Sequence, residues 1–206
     1  MIERLLFPKT QLFRGSIDKL EIARGHDGFL RGGPDPVLIA AIYAATAKEL
    51  RLVGRSLHKF ESKTEFPTEV KPNLVELPSV VVQSEERSRF LFLAIMLEED
   101  GGKDVQRLYG AVEHQSMLSA WAMEQAEVDP APLASIAADA AFHAPTRVDL
   151  LLEGQPVVNT CKSDKWIGAV CCALPARQPE ARSLYRFPFL APNRKNDWTL
   201  IVTCDH

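Results

Sequence analysis

A chain of 206 residues with 46% apolar and 25% charged residues has ordinary globular composition rather than that of a disordered chain, and allows a substantial core. Its formal net charge of -3 lacks the basic excess of a dedicated nucleic-acid binder.

In chain order, residues 17–23 alternate apolar and polar side chains and predict a strand. Gly25-His26-Asp27-Gly28 breaks it, and Gly32-Gly33-Pro34-Asp35-Pro36 makes a second break. Residues 37–45 predict a buried strand. Their alanines also suit a helix, but Pro36 and the β-branched Val37, Ile39 and Ile42 favour the strand. Residues 50–60 continue the β pattern, and a bulge at Gly54 is expected to let Arg51, Arg55 and Lys59 share an exposed side. The Pro-rich segment 66–78 predicts a loop, and 80–83 and 89–98 predict strands. The second of these is almost wholly apolar and belongs at the centre of a sheet. An acidic turn, residues 98–104, ends it.

From 105 to 127 apolar residues recur at helical intervals, and Asp129-Pro130 caps a second, Ala-rich helix to about 142. Residues 147–153 predict a return to strand. Strands at 166–174, 184–190 and 198–204 close the chain. The expected fold is therefore mainly β, an antiparallel sandwich of the eight-stranded type forming one domain over 1–206, with a two-helix insertion at 104–145.

No leader or membrane-spanning pattern is present, so a soluble, cytoplasmic protein is expected, with peripheral membrane attachment as its one route to a bilayer. Cysteines stand at 161, 171, 172 and 204 without metal spacing, and adjacent Cys171 and Cys172 must face opposite sides of a strand. Buried, inert thiols are the expectation. The five histidines form no metal or catalytic motif, and a Cys171–His114 nucleophile pair has no local support. A non-catalytic chain is expected, with a cysteine-dependent hydrolase as the outside alternative.

The stretch from Leu20 through Asp27 to Gly28, leading into Gly33-Pro34-Asp35-Pro36-Val37, resembles the first calcium loop of C2 domains. Residues 90–100 running into acidic side chains, and Asp164-Lys165-Trp166-Ile167-Gly168, resemble that family's third loop and its closure. Here the helical insertion interrupts the loop, and Glu98 stands where an aspartate is usual. The resemblance implies a C2-like sandwich whose Asp27, Asp35, Glu98, Asp100 and Asp164 converge at one end to hold Ca2+. Carboxylates in turns equally serve nearby backbone groups, and that reading stays open. The resemblance also gives Arg51, Arg55, Lys59 and Lys63 a role on anionic phospholipid headgroups, although flanking glutamates suit a merely solvated strand. Met117 and Trp121 on the inserted helices suit a protein partner or self-association, unless that face packs on the sandwich. The function expected is a binding or assembly module that engages a protein partner through its sandwich faces and inserted helices. Calcium-assisted lipid binding is the alternative.

Overall fold

The computed structural model describes residues 9–25, 33–45, 50–84, 89–114, 145–174 and 183–205. Among these, twelve strands and two helices follow one another. They are β1 (Lys9–Arg24), β2 (Pro36–Ala45), β3 (Leu50–Lys59), β4 (Thr68–Val70), β5 (Val80–Ser84), β6 (Arg89–Glu98) and α1 (Asp104–Ala111). Then come β7 (Thr146–Arg147), β8 (Leu151–Leu152), β9 (Gln155–Pro156), α2 (Val157–Thr160), β10 (Lys165–Leu174), β11 (Ser183–Leu190) and β12 (Asp197–Asp205). The chain is mainly β, as expected, and none of its described helices is long and apolar enough to cross a membrane.

Two five-stranded antiparallel sheets carry the architecture. One runs β11-β12-β1-β4, with β5 also on β1, and the other runs β3-β2-β6-β10-β7. In the first sheet β4 faces Leu20–Ile22 and β5 faces Lys9–Phe13, with a Ser16–Glu76 bridge between them. Segment 68–84, expected as a loop followed by a strand, thus runs along β1 as one irregular edge. The ladder is interrupted at Pro72, which bridges Phe60 instead, and at Pro78, which has no N–H to donate.

The central sheet is buried on both faces. Along β6, Phe92, Ala94 and Met96 enter a core shared with Leu20, Phe187, Trp198 and Leu200 of the other sheet. Leu91, Leu93, Ile95 and Leu97 enter a second core with Val105, Leu108 and Val112 at α1. Strand β2 divides the same way, which is why neither strand shows an alternating sequence. Cys171 lies in the helix-side core and Cys172 in the core between the sheets, the opposite facing that strand geometry demands.

Two expectations need correction. The strand expected at 147–153 is broken into β7 and β8, because Val148 and Leu150 turn into the helix-side core. Glu153 and Gly154 then both take positive φ, 54° and 76°, as a two-residue β8–β9 hairpin turn of the primed kind requires. Of the two expected helices, residues 104–111 are observed as α1. The helix expected over 105–127 gives way to a turn at 112–114, and residues 115–144, with Met117, Trp121 and the second expected helix, lie outside the described residues.

His58 ties the two sheets together at one edge. Fully buried, its Nδ1 donates to the Leu74 carbonyl at 2.7 Å, so Nε2, 2.6 Å from Ser56 Oγ, accepts from that hydroxyl. Burial lowers the imidazole pKa, partly countered by the Leu74 hydrogen bond. Folding therefore favours the neutral ring. Its contribution is full above the unfolded value of about 6.5 and is lost as pH falls below it. Urea unfolding from pH 7.5 to 5 should show stability declining in the wild type, with a shallower decline in His58→Gln. Parallel slopes would show that the ring does not titrate with folding.

Candidate functional site

The residues singled out for calcium meet where β2 begins, β6 ends and β10 begins. Pro36, Glu98 and Lys165 are ladder neighbours, so Asp35, Glu98, Asp100 and Asp164 gather at one end of the central sheet. Asp27 lies outside the described residues.

Each gathered carboxylate except that of Asp35 is already engaged. Glu98 is fully buried, with Oε1 at 2.9 Å from Lys165 Nζ and Oε2 at 3.5 Å from the buried Asn196 amide. Asp100 lies 3.4 Å from the same ammonium. Asp164 is buried, and its Oδ1 accepts from the backbone N–H of Asp100 at 3.1 Å and of Gly102 at 2.9 Å. Its Oδ2 accepts from Val105 N–H at 3.1 Å. Lys103, the N-cap of α1, gives that helix no side-chain cap, so Asp164 supplies one from the far side of the insertion. Asp35 is exposed, and its carbonyl accepts from Glu99 N–H.

Asp104 answers Asp164. Its Oδ2 accepts from the N–H groups of Lys162 and Ser163 and from the Ser163 hydroxyl, each at 2.8 Å, and from Asp164 N–H at 3.2 Å. Arg107 pairs with its other oxygen at 3.2 Å. Burial alone would raise this carboxyl's pKa, but the hydrogen bonds from Ser163, Asp164 and Lys162 outweigh burial and bring it to about 2. Two loops thus hold each other's backbone through two carboxylates. Gly102 permits the closeness, since a Cβ there would stand 2.1 Å from Ser163 Oγ and 2.9 Å from Asp164 Oδ1. Sequence reasoning missed Asp104, Lys165, Asn196 and Gly102. An aspartate in the first turn of a helix was the one available signal for Asp104.

A calcium ion needs six to eight oxygens turned toward one point. Here two oxygens face an ammonium and those of Asp164 and Asp104 face N–H groups. Among the described residues, no group of three His, Cys, Asp or Glu side chains is placed to hold a metal. The described carboxylates do not fit a calcium cage.

The basic residues do not form one surface. The register shift opposite Ile42 and Tyr43 is the expected bulge, but it separates the cations. Arg51 pairs with Ala44, of the core between the sheets, whereas Arg55 and Lys59 pair with Ala41 and Val37, of the helix-side core. One extra residue inverts the facing of everything on one side of it. Arg55 instead holds α1. It stacks 4.3 Å over the Tyr109 ring, donates to the Tyr109 carbonyl and pairs with Glu113 at 2.6 Å. Lys59 pairs with Glu99, and Lys63 with Glu61 at 2.8 Å.

Burial raises the thiols of Cys161 and Cys171 to about 12 and pushes that of Cys172 well up, so at neutral pH these three hold their protons and lack the thiolate a nucleophile needs. Cys204 is buried as well.

Beside the clasp opens a cleft of about 370 Å³, walled by Val158, Lys162 and Trp166 on one side and by Pro192, Asn193 and Asn196 on the other.

Asp104→Asn should lose about 2 kcal/mol or more, since it replaces charge-assisted acceptance by a neutral amide. In the wild type the Asp104 contribution is full above about pH 4 and disappears as pH falls toward 2, the ordinary sense for a depressed carboxyl. Chemical denaturation of both proteins at pH 7 and pH 3 measures it, and an unchanged midpoint in the variant would contradict the clasp. Gly102→Ala should lower Tm by several degrees by forcing Ser163 away. Known protein families searched with this chain yield no match, and neither do curated protein sequences.

Proposed function

We propose that the chain is a C2-like β-sandwich working as a non-catalytic binding or assembly module, and that its contact surface is the loop end beside the carboxylate clasp. The fold part of the reading is supported by two facing sheets whose long strands divide as β3-β2-β6-β10 against β11-β12-β1 and the 68–84 edge. The protonated thiols of Cys161, Cys171 and Cys172 weigh against a cysteine-dependent hydrolase.

Among the described residues neither outer sheet face is a continuous apolar surface, although Leu184 and Leu190 are exposed on β11. One is covered by α1 and the segment around Val148 and Leu150. The other carries an ion ladder in which Arg186 pairs with Glu21, Glu21 with Lys19 at 3.1 Å, and Lys19 with Glu69. Such a ladder is a solvated surface. Ile201, flanked in the register by Arg186 and Lys19, is buried within that face.

The observation that carries the proposal is the charge around the cleft. Lys103, Lys162, Arg194 and Lys195 are exposed, and none of their side-chain cations pairs with an acid among the described residues. The acids beneath them are spent on backbone N–H groups and Lys165. Lys162 lines the cleft, Arg194 and Lys195 fall between its lining residues Asn193 and Asn196, and Lys103 donates its N–H to Ser163 of the lining. Cations so placed beside Trp166 and Val158 fit an acidic protein segment that also carries an apolar side chain. Two exposed acids lie near in the sheet order, Asp149 just after β7, which pairs with β10, and Asp35 two strands away from Lys165.

A fluorescently labelled Glu-rich peptide with one aromatic residue should bind by anisotropy, weaken as salt rises and lose at least tenfold in affinity to a Lys162→Glu/Arg194→Glu double variant. A Lys-rich control peptide should not bind. Equal affinity of the double variant and the wild type would reject this surface. Binding only to phosphatidylserine vesicles would move the reading to the lipid alternative.

A further inference from the structure

We propose that Lys165 is the resident cation of the loop end, so that the acidic loops are ordered by a tethered ammonium and need no divalent ion. This stands independently of which partner the cleft takes.

The placement begins with the sheet. Lys165 is the first residue of β10 and the ladder neighbour of Glu98, the last residue of β6. That register sets its side chain beside a carboxylate with no solvent exposure of its own. Its Nζ reaches Glu98 Oε1 at 2.9 Å and Asp100 Oδ2 at 3.4 Å, drawing two acids together as a bound metal would. A buried carboxylate stays ionised only with a cation or several donors beside it. Glu98 has the Lys165 ammonium on one oxygen and the Asn196 amide by the other. Asp164, the remaining described acid with a buried carboxylate among those the resemblance implicates, has both oxygens taken up by backbone N–H groups.

A tethered cation differs from calcium in one respect that matters for function. A metal orders its loops only above a threshold concentration and leaves when chelated. An ammonium carried on β10 is present whenever the chain is folded. The segments around Asp100 to Lys103 and Lys162 to Asp164, which border the cleft, are then held in one arrangement at every calcium level. Any binding at this end is constitutive with respect to calcium.

Thermal unfolding separates the alternatives. The wild type should melt at the same temperature, within a degree, in millimolar calcium and in excess chelator. Lys165→Met should melt several degrees lower, because Glu98 and Asp100 lose the Lys165 ammonium. Lys165→Arg should recover most of that loss. Adding Glu98→Gln to Lys165→Met should recover part of it, a coupling that lost packing alone would not produce. Should Lys165→Met fail to fold, the calcium comparison on the wild type and the Lys165→Arg melt still decide. A rise of several degrees with calcium in the wild type overturns the proposal. So does a Lys165→Met protein as stable as the wild type, or an Arg variant as damaged as the Met one.

Discussion

Strands β2, β6 and β10 are apolar on both faces, and this constraint governs most of what surrounds them. A sheet of that kind is stable only when both sides are covered. The second sheet covers one side with Phe187, Trp198 and Leu200. On the other, α1 and the stretch around Val148 to Val157 provide the cover, and both belong to the long interval between β6 and β10. That interval thus has core residues near both its ends.

Covering a sheet with one short helix requires that the helix be held at both ends. Eight residues supply little helical stability of their own. At its start Asp164 accepts from Val105 N–H, and Asp104 binds the loop that leads into β10. At its end the buried Tyr43 hydroxyl donates to the Val112 carbonyl at 2.6 Å, and Arg55 grips Tyr109 and Glu113. The residues with the look of a calcium cage or a lipid-binding strand are thereby drawn into fastening α1. Asp164 and Arg55 are both used in this way.

The same fastening explains the charge at the loop end. Carboxylates satisfied by backbone N–H groups and Lys165 leave Lys103, Lys162, Arg194 and Lys195 exposed with no acid partner among the described residues. An end that is rich in acids by composition therefore carries exposed cations beside the exposed Asp35.

By itself the sequence determined what depends on local pattern. The β class, the strand nature of residues 37–45, the central place of 89–98 and the opposite facing of Cys171 and Cys172 follow from side-chain type and strand alternation. A common end for Asp35, Glu98, Asp100 and Asp164 was only what the C2-like resemblance implied, and the pairing of β6 with β2 and β10 is what places them there. Only the tertiary structure decided what those acids do. Asp104 accepts from residues 162–164 and Asp164 from residues 100–105, partners some sixty positions apart whose N–H groups carry no signature in the sequence. Register decided the rest. A single extra residue in β3 sends Arg51 to the other side from Arg55 and Lys59, and the pairing of β10 with β6 sets Lys165 against Glu98. Side-chain facing has a period of two, so one residue of slip reverses it, and the amino-acid types alone do not record where the slip occurs.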